Sequence, residues 1–177
     1  NFMASKYNAK VYKSINQIAE DTNIDIIIIC TLHDSLSKIA IKCLENNKHI
    51  LIEKPAGKNY EEIIDLKNNL DLSKSKVHIG FNHRYHRAII KAKKIIDDGN
   101  LGDIMFIKTS YGHGGRLGYE KEWRFNKIQS GGGELIDQGP HVIDLAQWFL
   151  NKKLSLSSSS IGTFFWDTDV EDNAFLL

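Results

Sequence analysis

The chain has 177 residues, 42% of them hydrophobic and 25% charged, a composition that belongs to a folded globular protein and excludes collagen, coiled coil and disorder. Its 23 Lys+Arg against 22 Asp+Glu leave a net charge of +1, so no overall field draws it to nucleic acid or to an anionic membrane, and neither is expected as a partner. The longest apolar run, Ile26 to Cys30, is far shorter than the roughly 20 residues of a membrane-spanning helix, and a cytoplasmic protein is expected.

Asp25 to Thr31 is an unbroken β-branched run, which predicts a strand covered on both faces with Cys30 buried inside it. Ser35 to Asn47 carries Ile39, Ala40, Cys43 and Leu44 at helical spacing and stops at an Asn-Asn pair. The two cysteines show no CxxC spacing and read as buried apolar side chains rather than a disulfide or a metal pair. His49 to Ile52 predicts a second strand, Asn59 to Leu72 a second helix, and Lys76 to Phe81 a third strand. Strands alternating with helices at this spacing predict right-handed crossovers in a parallel sheet.

Arg87 to Asp98 predicts a further helix, with Ala88, Ile89, Ala92, Ile95 and Ile96 on its apolar face and Gly99-Asn100 ending it. The texture then changes. Ile104 to Tyr111 alternates as a half-buried strand, Gly112 to Ser130 is a glycine-rich aromatic and basic loop, and Gly133 to Leu150 contains a helix. Ser157 to Trp166 and Ala174 to Leu177 predict antiparallel strands. The fold class expected is therefore α/β: an incomplete Rossmann-type parallel sheet over residues 1–83, then over 84–177 part of an α+β domain with a mostly antiparallel open sheet. The Gly-x-Gly-x-x-Gly turn that opens a dinucleotide-binding domain is not found before Asp25, and the last strand stops without a turn. An internal piece of a longer protein is the expectation.

Two segments carry chemistry. Glu53-Lys54-Pro55 follows the second strand, where the carboxyl ends of parallel strands open into a ligand crevice, and a lysine there can hydrogen-bond a substrate hydroxyl and favour its alkoxide. In Gly131-Gly132-Gly133-Glu134-Leu135-Ile136-Asp137-Gln138-Gly139-Pro140-His141-Val142-Ile143-Asp144, helical spacing puts Asp137, His141 and Asp144 on one face, with the carboxylates placed to fix and charge-stabilise the imidazole as a general base. Pro140 either starts the helix or kinks it, and the plainer alternative is a packed histidine beside two capping aspartates. Asn82 and Arg84 sit at the end of the third strand, Trp123 and Arg124 suit a flat or anionic ligand, and Arg116 among glycines suits phosphate or carboxylate.

Taken in order, the strand ending at Thr31, Glu53-Lys54-Pro55, Gly80-Phe81-Asn82 with Arg84, and the Gly131 to Asp144 segment resemble the glucose-fructose oxidoreductase/inositol dehydrogenase/rhizopine catabolism family of NAD(P)-dependent sugar oxidoreductases. The resemblance implies Lys54 as the catalytic lysine, His141 as proton acceptor and Asp137 as the acid that orients it. It implies cofactor contacts from Thr31, Leu32, His33, Glu53, Lys54 and Asn82, with Trp123 and Arg124 near cofactor and substrate. The strand-end turn reads Thr31-Leu32-His33 where the family commonly has Thr-Pro-Asn, and Ser37 stands where a histidine is common, leaving Ser37 as the candidate cofactor contact there.

The resulting expectation is reversible oxidation of a secondary hydroxyl with NAD or NADP. The basic loop favours a nucleotide sugar or sugar acid, with Lys54, Arg84, Arg116, Asp137 and His141 on the substrate. Alternatives are a redox-neutral NAD-dependent glycoside hydrolase, a non-catalytic sugar or dinucleotide sensor, and, most distantly, a metal hydrolase using His113, His141 and Asp144. The resemblance also implies a homodimer or homotetramer formed through the carboxy-terminal sheet.

Overall fold

The computed structural model describes residues 2–177, which divide into two units: residues up to 31 together with 35–79, and residues 32–34 together with 80–177. The first unit opens with two short helices that hydrophobic periodicity does not announce, α1 (Phe2–Tyr7) and α2 (Ile15–Glu20). The start of α2 was nevertheless written locally: the Ser14 hydroxyl accepts from the Gln17 N–H, and the Gln17 side chain accepts from the Lys13 N–H, which is close to a capping box.

The sheet follows as β1 (Ile26–Ile29), β2 (His49–Ile52) and β3 (Val77–Ile79), all parallel and adjacent in the order 1-2-3. The connections are α3 (His33–Glu45) and α4 (Tyr60–Leu72), as the alternating periods predict. Asn47, at φ 56°, provides the left-handed residue that lets the Lys48 N–H return to the Cys43 carbonyl and end α3. Ile27, Ile29, Ile50 and Ile52 bury against Leu36, Ala40, Cys43, Leu44 and Leu66 of the helices, with Ala19 of α2 completing the core.

Two expectations about β1 fail. Ile26 and Ile28 are 63% and 64% exposed, so only one face of the strand is covered among the described residues, and Cys30, continuing their side of the alternation, is exposed as well. A run of identical isoleucines has no period, and nothing in it reports which face finds a partner.

The second unit carries a 3-10 turn (Asn82–Tyr85), α5 (Arg87–Asp97), α6 (Lys127–Ser130), α7 (Glu134–Asp137) and α8 (Gly139–Leu150), then β4 (Ser159–Gly162) and β5 (Asn173–Leu176) paired antiparallel. The predicted strand over 104–111 is irregular chain, with Met105 and Phe106 largely exposed. Alternation alone does not make a strand; its backbone groups need a ladder partner, and none is supplied among the described residues. Lys93 of α5 is buried, its ammonium donating to Asp97 and Asn151 beside the Trp148 ring.

Two glycines of the run before α7 have separate reasons. Gly131 adopts φ 86° to end α6, and a Cβ on Gly133 would be driven into the Glu171 backbone, whose carbonyl accepts from the Glu134 N–H at 2.9 Å. Close approach of two backbones, rather than loop mobility, is what demands the third glycine.

Candidate active site

In the first unit the pairing Ile29–Ile52–Ile79 brings the carboxyl ends of the strands to one edge, and Thr31 and Glu53-Lys54-Pro55 leave from it. The Glu53 N–H donates to the Ile29 carbonyl at 3.0 Å, which ties the start of the Lys54 loop to β1, while the Glu53 side chain is exposed. After the cis Lys54–Pro55 bond, Ala56 turns at φ 68° and is fully buried. The loop is then fastened to α4 by a cap: Asn59 Oδ1 accepts from the Glu62 N–H at 2.9 Å, and the Glu62 carboxylate accepts from the Lys58 N–H at 2.8 Å. Lys54 thus projects from a short loop pinned at both ends.

Thr31 is exposed, and its hydroxyl oxygen accepts from Ser35 at 2.9 Å. Ser37, by contrast, is 1% exposed on the packed side of α3. Hydroxyl, carboxylate and ammonium along one strand-end edge supply both donors and acceptors, a set that fits the ribose hydroxyls and carboxamide of a nicotinamide dinucleotide.

The second unit collects the remaining candidates. Pro140 occupies the first turn of α8, so it starts that helix, and the chain steps from α7 into α8 at Gln138. Asp137 and His141 are both buried, at 5% and 6% exposure. Asp137 accepts from Arg124 Nε at 2.9 Å and from Gln138 Nε2 at 3.1 Å. Asp144, expected to support the imidazole, instead receives a two-pronged bond from Arg84, Nε to Oδ2 at 2.7 Å and Nη2 to Oδ1 at 2.5 Å. Side chains at i and i+3 share a helix face but head different turns, and Asp144 meets an arginine from 60 residues upstream. Arg84 therefore braces the unit rather than standing open to a substrate, and its guanidinium also lies 5.5 Å from the Trp148 ring.

The two arginines of the aromatic and basic loop share one carboxylate of that loop. Glu122 accepts from Arg124 Nη1 at 3.0 Å and pairs with Arg116, whose guanidinium rests 5.3 Å from the Tyr119 ring. Arg124 sits 4.8 Å from the Trp123 ring. Trp123 in turn meets His33 edge-on at 4.7 Å, and His33 Nδ1 lies 3.0 Å from the Ser130 carbonyl, an acceptor that places the proton on Nδ1. Leu32 is half-buried beside it, and Asn82 is exposed at the start of its turn. Buried Tyr119 donates to Glu134; burial, with the Glu134 and Asp137 charges, pushes its phenol up to about 12, and burial together with Asp137 raises the Glu134 carboxyl.

His83 was missed by sequence reasoning, yet its ring stacks on that of His141 with centroids 3.9 Å apart and planes 10° from parallel. The signal available was the pairing of His83-Arg84 with a helical stripe of His141, Asp144 and Trp148. Among the described residues no group of three His, Cys, Asp or Glu side chains is arranged to hold a metal ion, and His113 Nδ1 accepts from the Gly115 N–H.

Both halves of the chain resemble known proteins. Residues 1–81 match the model of the oxidoreductase family with an NAD-binding Rossmann fold, and residues 89–177 match the Gfo/Idh/MocA C-terminal domain. The levoglucosan dehydrogenase of Pseudarthrobacter phenanthrenivorans is 34% identical over 140 residues, 76% of this chain and 35% of that protein. The scyllo-inositol 2-dehydrogenase (NADP(+)) IolW of Bacillus subtilis is 29% identical over 137 residues, 77% of this chain and 38% of that protein. A solved levoglucosan dehydrogenase, in complex with NADH and levoglucosan, superposes with a TM-score of 0.82 at 25% identity over 97% of this chain and 49% of that one. The chain spans about half or less of the length of these relatives. With both of its halves matched, the chain belongs to the glucose-fructose oxidoreductase/inositol dehydrogenase/rhizopine catabolism family of NAD(P)-dependent oxidoreductases.

Proposed function

We propose that the protein is an NAD(P)-dependent dehydrogenase of a secondary hydroxyl on a neutral polyol or anhydrosugar. Residues 1–83 would supply the cofactor-binding part and residues 84–177 the substrate-binding part. The observation that carries the reading is the burial of both Asp137 and His141, on α7 and α8, the residues that the family resemblance marks as acid and proton acceptor.

In this mechanism the ammonium of Lys54 donates a hydrogen bond to the substrate oxygen and stabilises the alkoxide, while His141 accepts the hydroxyl proton. Asp137, braced by Arg124, holds the imidazole in its accepting tautomer. A bound nicotinamide supplies the hydride acceptor. Thr31, Leu32, His33, Glu53, Lys54, Asn82, Trp123 and Arg124 remain the candidate cofactor contacts. Ser37 would have to lose its helix packing to join them.

An anionic substrate loses its basis at Arg116 and Arg124, since both guanidiniums are paired with Glu122 and Arg124 also with Asp137. The named substrates of the relatives, levoglucosan and scyllo-inositol, are neutral. Assembly through the carboxy-terminal sheet, as a homodimer or homotetramer, belongs to the same reading and is checked by light scattering.

The test is the whole protein with NAD and NADP against levoglucosan, myo-inositol, scyllo-inositol and a set of nucleotide sugars, following absorbance of the reduced cofactor. Turnover of a neutral substrate that falls about a hundredfold or more in Lys54→Met and His141→Ala is expected. Preference for nucleotide sugars would overturn the substrate, and unchanged turnover in both variants would overturn the mechanism.

A further inference from the structure

His141 heads a stripe on α8, with Asp144 and Trp148 at i+3 and i+7 of the same helix face. The turn Asn82–Tyr85 lies against this stripe and meets it in order. His83 stacks on His141, while Arg84 forks onto Asp144 and approaches Trp148. The fork holds the turn to the helix one step beyond the stack, so the position of His83 is determined by an anchor that does not itself touch the imidazole of His141.

The two rings are further enclosed from the side. Tyr111 meets His83 edge-on at 5.3 Å and His141 at 6.4 Å, and Phe81 meets His141 edge-on at 6.4 Å with planes 81° apart. Face-on contact at 3.9 Å has a consequence for rotation. A perpendicular ring pair sits at about 4.5 Å or more, so turning His141 about its Cβ–Cγ bond would push its edge into His83 unless the whole turn moved away. Terminal ring torsions are otherwise broad and soft, which makes an external constraint on that torsion meaningful.

We propose that His83 is a positioning residue for His141, its flat face setting the plane in which the imidazole presents a nitrogen to the substrate hydroxyl. This rests on the assignment of His141 as proton acceptor. What is required at position 83 is a planar ring, so Phe serves in its place and Leu, of comparable bulk but not flat, does not.

The test compares His83→Leu, His83→Gln and His83→Phe in the whole protein with NAD and NADP, using levoglucosan and myo-inositol as substrates. Turnover is read beside the ring-proton NMR signals of His141, which stacking displaces upfield. His83→Leu and His83→Gln are expected to lower kcat about tenfold with KM little changed and to abolish the ring-current displacement, while His83→Phe restores both, since a small loss of alignment acts on the reacting geometry rather than on binding. A kcat for both non-aromatic variants within about twofold of the wild type, or equal losses in Leu, Gln and Phe, would overturn the proposal. If the wild-type protein turns over no polyol, the dehydrogenase reading fails; the His141 ring signals then decide the positioning claim, which is overturned if they do not move in His83→Leu or His83→Gln.

Discussion

Gly133→Ala should damage both the stability of the second unit and the placement of Asp137. The added methyl would sit 2.8 Å from the Glu171 carbonyl carbon and 3.0 Å from its nitrogen, and closer still to its carbonyl oxygen, all of them backbone atoms rather than the end of a flexible side chain. Relieving the overlap takes a shift of about an ångström, enough to break the Glu134 N–H bond to the Glu171 carbonyl and the Leu135 N–H bond to the Glu171 carboxylate. One neutral and one charge-assisted bond are together worth about 2–4 kcal/mol. The reduced freedom of alanine in the unfolded chain returns about 0.5–1 kcal/mol, leaving a net loss of about 1–3.5 kcal/mol. At an m-value of about 2 kcal/mol/M this moves the urea midpoint down by about 0.5–1.8 M. The Asp137 N–H donates to the Gly133 carbonyl at 3.0 Å, so the same shift should lower turnover. Gly114→Ala, where a methyl meets nothing within 4 Å, is the matched control. A Gly133→Ala midpoint indistinguishable from that of Gly114→Ala would refute the claim that backbone approach demands this glycine.

Other consequences follow from individual side chains. Asp172 accepts from the N–H groups of Phe164, Phe165 and Trp166; burial pushes its carboxyl up, but these bonds outweigh it and hold the group down at about 2 against an ordinary 3.8. Because the folded value is the lower one, its stabilisation is full above about pH 4 and disappears as the pH falls toward 2. The urea midpoints of wild type and Asp172→Asn should accordingly differ at pH 6 and converge near pH 2, and a constant difference would refute the assignment. For Arg84 and Asp144, a double-mutant cycle of Arg84→Met and Asp144→Asn by urea denaturation should return a coupling of about 1–2 kcal/mol, because the carboxylate is buried and the bond two-pronged; simple additivity would count against it. Glu62→Ala removes the acceptor of the Lys58 N–H and loosens the loop that carries Lys54. Its kcat should fall several-fold, by a mechanism separate from folding if the urea midpoint drops by less than about 0.5 M.

Local pattern determined much of this protein. The crossovers from β1 to β3 follow from period alone, since a helix stripe and a short β-branched run each report burial within a few residues. The start of α4 was legible in Asn59 and Glu62, and the end of α3 in Asn47, because caps are satisfied by near neighbours. Lys54, Asp137 and His141 were singled out by residue type, spacing and family resemblance, and their roles are what the Lys54→Met and His141→Ala variants test.

What the tertiary structure decided involves partners distant in the chain. Ile104 to Tyr111 has the alternation of a strand and remains irregular, since a ladder is a property of two segments. Ile28 and Cys30 face outward although Ile27 and Ile29 are buried, because a uniform apolar run is silent about which side is covered. Asp144 was assigned to His141 by spacing but is taken by Arg84, and the ring that lies on His141 comes from His83, more than fifty positions earlier. Sequence spacing measures proximity along one helix; it contains no term for a side chain that arrives from another element, and the orientation of the imidazole depends on such side chains.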